Sequence, residues 1–288
     1  MLNNKKNKKI IYKDKSLLLP TSLKYIIVII TTILALYPLY FVFINSFKNR
    51  IGYATDKIGF PTKVVFENFL KIFENSKIIL WFSNTIFITV VSVTISLLIG
   101  SLAAFALSKM KFKGQSFILN SIISLMIVPI IVMIIPLFVL FGRLHLVNNF
   151  ISVIVIYTGI MLPFNIYFLY SFFVTIPQAL LDAAKIDGAS NFQVYLRIML
   201  PLARPALFAL LLVNVLSVWN EFLISLIFLT KENLRTLMVG LTLLQGRFSL
   251  DVPLIMAGLI VGILPVLVLY LFSQRYLVRG LVAGAIKE

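Results

Sequence analysis

Apolar residues fill this chain in six long runs, and polar residues gather in the gaps between them. The runs cover residues 25–47, 79–107, 118–141, 150–174, 205–229 and 253–273. A bilayer core about 30 Å thick needs about 20 such residues as a helix. In hydrocarbon a chain satisfies its own N–H and C=O groups only as a helix or a closed barrel. The pattern predicts an all-α integral membrane protein with six transmembrane helices over 25–273, between a basic tail at 1–24 and a short tail at 274–288. Pro38, Pro129, Pro136, Pro163 and Pro265 lie inside the runs, where prolines are tolerated and can supply kinks, although their plainer explanation is that proline is commoner in membrane helices. The first run is too long for a signal-peptide core and reads as a span that stays attached.

The gaps differ in character. Residues 48–78 have room for a short helix near "FENFLKIF", and 230–252 reads as a polar loop. The gap at 175–204 contains "LLDAAKIDGAS", where small and charged residues interrupt the apolar text. Pro177 is placed to start a helix. Asp182 is three residues before Lys185, a spacing that pairs side chains. Gly188 marks a stop. Asn191 is expected to cap a second helix, "FQVYLRIML", that Pro201 ends. The gap therefore reads as helix, glycine corner, helix. An amphipathic helix lying on lipid would carry Lys and Arg on its polar face. Asp182 and Asp187 point instead to docking against protein.

Composition agrees with a membrane chain: 60% hydrophobic, 12% charged over 288 residues. The net charge of +16 fits topology and headgroup contacts better than nucleic acid. No cysteine and a single histidine, His145, leave no thiolate site and no catalytic or metal constellation. With the N-terminus inside, 16 of the 26 lysines and arginines fall on inner segments, so both termini are expected in the cytoplasm. Lys48 and Arg50 weigh against that orientation.

"DAAKIDGASNFQVYLRIMLPLARPAL" resembles the cytoplasmic EAA signature of permease subunits of ATP-binding-cassette importers, through Asp182, Ala183, Ala184, Asp187, Gly188, Ala189 and Pro201. Asp182 stands where that pattern usually has Glu. "SLAAFALSKMKFKG", "WNEFLISLIFLT" and "SQRYLVRGLVAGAIKE" are similar to the carbohydrate-uptake branch, specifically the second, shorter permease of maltose-type and glycerol-phosphate-type systems. The resemblance implies the type I importer permease fold in a bacterial cell membrane. It implies a heterodimer with a second permease, two ATPase subunits and an extracellular solute-binding protein. The residues above, with Phe192, would meet an ATPase. ATP and magnesium would be bound by that partner, because this chain has no phosphate loop and no Gly-Lys dipeptide. No cofactor is expected in the chain itself.

A sugar path needs polar groups in the spans. Glu221 is the acidic residue well inside a run, beside Trp219 and Asn220; Asn165, Tyr157, Asn84 and Asn214 are further candidates. An indole face with amide and carboxylate groups suits a sugar. The alternative role is hydrogen bonding between helices, with Glu221 clamping spans five and six. Lys231, Arg235 and Arg247 are candidates for contact with the solute-binding protein. The competing function is a self-contained, ion-driven secondary transporter, though Glu221 has no counterpart in a second half of the chain.

Overall fold

The computed structural model describes residues 20–75, 77–247 and 251–285, leaving aside the side chains of 75, 244–247 and 273–285. The helices are α1 Thr21–Ser46, α2 Arg50–Thr55, α3 Glu67–Asn75, α4 Ile78–Lys109, α5 Gln115–Leu125, α6 Ile130–Arg143, α7 Phe150–Thr175 and α8 Gln178–Ile186. There follow α9 Asn191–Leu202, α10 Arg204–Trp219, α11 Leu223–Phe228, α12 Leu237–Arg247 and α13 Val252–Ala285. No strand occurs among the described residues.

Among the described residues four helices are individually long and apolar enough to cross a membrane: α1, α4, α7 and the Val252–Phe272 part of α13. Two bent pairs raise the number to six. The expected third span is one of them: α5 and α6 meet at 97°. Pro129 caps α6 instead of kinking a continuous helix, because its ring disfavours the helical conformation at Val128. The second pair is α9 and α10, at 75°. The expected fifth span is also discontinuous, since α10 ends at Trp219 and α11 begins at Leu223. The last helix outruns its expected limit and continues to Ala285. The N-terminal tail at 1–19 lies outside the described residues.

The centre of the bundle is the α4–α7 pair, joined by α10. Small residues on α4, namely Ser92, Ser96 and Ala104, are fully buried and let α7 approach closely. Polar side chains then bridge the helices. Asn165 Nδ2 donates to Ser96 Oγ at 2.8 Å, and Asn214 Nδ2 donates to Asn165 Oδ1 at 2.9 Å. Asn165 thus ties α4, α7 and α10 with one amide. Two apolar clusters flank this seam. One gathers Ile88, Val153, Ile156 and Phe228; the other gathers Phe105, Phe173, Leu181, Tyr195 and Met199. By contrast α1 is exposed along most of its length, as a helix facing lipid or another protein would be.

The end of the bundle away from α8 is built, not loose. Asn68 Nδ2 donates to the carbonyls of Ser46 and Lys48 at 2.8 and 2.9 Å, pinning α3 to the end of α1. Lys48 is buried, with Nζ 2.7 Å from the carbonyl of Asp56. Arg50 pairs with Asp251 at 2.9 Å. The backbone N–H groups of Gly59 and Ile58 hold the Asp56 carboxyl below its ordinary pKa. The helix expected near "FENFLKIF" is α3.

Residues 230–252, expected as a polar loop, instead contain α12, with Leu237 and Val239 fully buried. The apolar "LMVGLTLL" covers Trp81 of α4, whose Nε1 donates to the carbonyl of Glu232 at 2.8 Å. Asn84 Nδ2 reaches the carbonyls of Asn233 and Arg235, both at 3.0 Å. Gly240 permits this packing: a Cβ there would lie 2.0 Å from Trp81 Cε3. Gly240→Ala is therefore expected to lower the melting temperature of the purified protein, with a loss of about 1–3 kcal/mol typical of overpacking. Adding Trp81→Leu should recover part of that loss, relative to Trp81→Leu alone.

Candidate functional site

Two places in the fold gather the residues singled out above. The first is the corner after α7. Pro177 precedes α8, and α8 stops at Gly188, whose φ of +81° is a left-handed conformation that L side chains rarely adopt. The N–H of Gly188 reaches the carbonyl of Lys185 at 3.0 Å, and that of Ala189 reaches Ala184 at 2.9 Å. This double closure satisfies the carbonyls at the end of the helix. The next helix starts at once. Ser190 Oγ accepts from Gln193 N at 3.3 Å, and Gln193 Oε1 accepts from Ser190 N at 2.8 Å. The cap is thus Ser190, not Asn191, because the residue three positions ahead of Ser190 can return the bond.

Two further expectations at the corner are corrected. Asp182 Oδ1 accepts from Gln178 Nε2 at 3.0 Å, four residues back, so its partner is not Lys185. Pro201 does not end the second helix, which continues to Leu202 and turns at Ala203. One turn earlier the helix widens into a π-turn, Tyr195–Met199. Pro201 has no N–H to return to the carbonyl of Arg197, and a widened turn is a usual neighbour of such a gap. Tyr195 is buried at the π-turn, with its hydroxyl 2.8 Å from Ser101 Oγ on α4.

The corner divides its residues sharply. Leu181 and Val194 are buried and fasten it to the bundle. Asp182, Ala183, Asp187 and Gly188 are exposed, Ala184 and Ala189 partly so. Ile186 is 86% exposed and Phe192 61%. A shallow cavity of about 320 Å³ runs between Asp187, Gly188, Gln193 and Arg197. Large apolar side chains beside carboxylates, on a rigid turn with small residues, form a surface suited to docking a protein.

The second place is the break between α10 and α11. Glu221 Oε1 accepts from Ile224 N at 2.8 Å, and Oε2 from Ser225 N at 3.2 Å. Tyr157 on α7 donates its hydroxyl to Oε2 at 2.5 Å and lies 2.7 Å from Ser225 Oγ. The carboxylate thus closes the backbone of α11 and clamps span five to span four, not to span six. Trp219 makes the tie to the last helix, donating Nε1 to the carbonyl of Gly262 at 3.2 Å, edge-on to Phe82. Asn220 is exposed and bonds the carbonyl of Leu216 at 2.9 Å. Asn165 and Asn214 belong to the separate seam described above. The structure therefore joins Tyr157 with Glu221 and sends Trp219, Asn220 and Asn165 elsewhere.

Lys231 and Arg235 flank the turn at Glu232–Leu234. Lys231 is exposed and Arg235 half-buried. The side chain of Arg247 lies outside the described residues, as do those of the tail from 273. Sequence reasoning missed Asn148, which organises this region. Its φ of +60° turns the chain, and its N–H reaches the carbonyl of Phe228 at 2.8 Å. Its Oδ1 accepts from Thr230 Oγ1 at 2.9 Å and Lys231 N at 3.0 Å. The signal was available, since Asn tolerates left-handed conformations in turns.

Glu221→Ala leaves two backbone N–H groups and the Tyr157 hydroxyl without their acceptor. Bonds to a charged group contribute about 1.5–3 kcal/mol each. We expect a clear fall in melting temperature for Glu221→Ala and a smaller one for Tyr157→Phe. A double-mutant cycle of the two should show coupling.

Comparison with known proteins fits this architecture. Residues 96–282 match the family described as binding-protein-dependent transport system inner membrane component. The chain is 34% identical over 264 residues to a putative ABC transporter permease protein of Caldicellulosiruptor, spanning 91% of this chain and 96% of that one. It is 32% identical over 258 residues to the arabinooligosaccharides transport system permease protein of Halalkalibacterium halodurans, spanning 88% and 92%. Its fold is similar to a chain of a bacterial ABC transporter that imports the acidic polysaccharide alginate, with TM-score 0.80 and 24% identity over 92% of this chain and 98% of that one. With the matched region running from the middle of α4 to the last helix, the chain belongs to the family of binding-protein-dependent transport inner membrane components.

Proposed function

We propose that this chain is one permease half of an ATP-driven importer of oligosaccharides or related sugars, in the plasma membrane of a bacterium. Several relatives carry names for that cargo: arabinooligosaccharides, starch degradation products, and melibiose, raffinose and stachyose. A second permease completes the pathway, two ATPase subunits hydrolyse ATP with magnesium, and a solute-binding protein delivers the sugar. A related alginate importer has been seen in complex with its sugar-bound periplasmic protein. An ion-driven transporter acting alone has no comparable support.

The observation that carries the reading is the corner at α8. Asp182, Ala183, Ala184, Asp187, Gly188, Ala189 and Phe192 form a rigid, largely exposed turn fastened to the bundle by Leu181 and Val194. An ATPase that grips this turn moves α8, and the turn passes the motion to α9 and α10. Pro201 then serves within the bent α9–α10 linkage. In this reading the α8 end is cytoplasmic, with both termini. Lys48 and Arg50, the charges that opposed it, each have a partner near the other end: the Asp56 carbonyl and the Asp251 carboxylate. Of the sugar-path candidates, exposed Asn220 and half-buried Glu221 have the freest access. Tyr157 holds Glu221 from behind, while Trp219 and Asn165 tie neighbouring helices elsewhere in the bundle. Lys231 and Arg235 face the solute-binding protein, with Arg247 near them in sequence.

The test replaces corner residues within the complete complex. Gly188→Leu and Asp187→Arg should abolish uptake and co-purification of the ATPase, with membrane insertion intact. Gly188→Asn keeps a left-handed turn accessible, so it separates strain from contact. We expect it to insert and fold normally yet still weaken ATPase association. Wild-type uptake in all three variants would falsify the docking role.

A further inference from the structure

The α8 end holds a second feature, which borders the exposed face of the corner and shares Asp182 with it. An open cleft of about 710 Å³ lies between the end of α4, the loop after it, and α8. Lys109 and Lys111 line it from the end of α4 and the loop after it, and Lys185 from α8, along with Gln115 and Gln178. Asp182 is the carboxylate in that lining, and Gln178 already occupies one of its oxygens. Lys109 is anchored, donating Nζ to the carbonyl of Ile176 at 2.6 Å. Gln115 is anchored as well, through the carbonyl of Leu107. The cleft therefore presents an excess of positive charge on a fixed frame.

Its rim has a second character. From Lys109 to Lys113 the chain alternates Lys, Met, Lys, Phe, Lys. Met110, Phe112 and Phe117 are all exposed, Phe117 at 75%. A loop made only to meet water has no use for these side chains. At a bilayer surface the alternation fits: apolar groups enter the acyl region while lysine stems lie along them and lift their ammonium groups to the phosphates. Basic pockets between membrane helices on one leaflet hold anionic headgroups by this chemistry.

We propose that this cleft binds the headgroup of an anionic phospholipid, with Lys109, Lys111 and Lys185 around its phosphate. Lys185 sits on α8, so the headgroup bridges the bilayer surface to the helix that the ATPase is proposed to grip. That consequence for coupling rests on the function proposed above. The binding itself rests only on the chain lying in a membrane.

The experiment uses the complete complex, delipidated in mild detergent and titrated with phosphatidylglycerol or phosphatidylcholine, with bound lipid counted by native mass spectrometry. Wild type should retain phosphatidylglycerol in preference to phosphatidylcholine. Lys111→Gln with Lys185→Gln should weaken that retention roughly 30-fold, on the order of fivefold for each lysine near an anionic surface. Lys111→Arg with Lys185→Arg should restore it, and Lys113→Gln, on the rim but outside the cleft lining, should weaken it less than Lys111→Gln or Lys185→Gln does. Equal retention by wild type and the double glutamine variant overturns the proposal. Displacement of the lipid by millimolar inorganic phosphate also overturns it, because the site would then be for a soluble anion. A photo-crosslinker at Lys111 that traps the ATPase and no lipid has the same force. Uptake assayed separately in vesicles of each lipid keeps failure of the transport reading distinct from failure of lipid binding.

Discussion

Hydrocarbon offers no water to a broken helix, and this chain breaks its membrane helices at three places. Each break closes from within. At 126–129 the N–H groups of Met126, Ile127 and Val128 each reach back three residues, tightening the end of α5 before Pro129 starts α6. At Ala203 the chain bends by 75°, yet Ala203 N still reaches the carbonyl of Met199 and Leu207 N the carbonyl of Ala203. At 220–222 backbone bonds do not suffice, and the Glu221 carboxylate takes the free N–H groups of Ile224 and Ser225. A charge inside a membrane protein costs several kcal/mol unless paired or wet. Here it accepts from two amides and a tyrosine.

The bends would leave a loose bundle without the seam through Ser96, Asn165 and Asn214. One fully buried amide joins three helices, and small residues on α4 bring α7 near enough for it to reach. The bundle therefore has a stiff centre, α4 with α7 and α10, and jointed elements around it. The α8 corner lies at one end of that centre, held by Leu181 and Val194. A force applied to the corner acts on the stiff part through α9 rather than being lost in a flexible loop.

Much of this was legible in the chain. Long apolar runs mark spans because a bilayer demands length, and the Gly188 stop follows from its freedom to take positive φ. What hydropathy could not separate was a straight span from a bent one: Leu and Ile score alike on either side of Val128. Ser190 and Asn191 are both good caps, and only Gln193 decided between them. The segment 230–252 misled because its charged ends hid the apolar run that covers Trp81, and Gly240 gave no local sign of the ring it faces. Glu221 stood out in the sequence as an acid deep in an apolar run. Its geometry makes it a backbone cap tied to Tyr157, a bond that joins residues 64 positions apart.

The π-turn in α9 has one more implication. A π-turn is what an α-helix becomes when it absorbs one extra residue without a loop. Each residue of an α-helix advances the azimuth by about 100°, so the insertion dials everything after Met199 around the axis by that amount while Tyr195 keeps its place against Ser101. Deleting a single residue from Tyr195–Met199 would restore ordinary winding and swing Leu202, Ala203 and the entry to α10 to another side of the axis. The orientation in which α10 meets the bundle thus depends on a count of residues in this turn, beside the gap that Pro201 leaves.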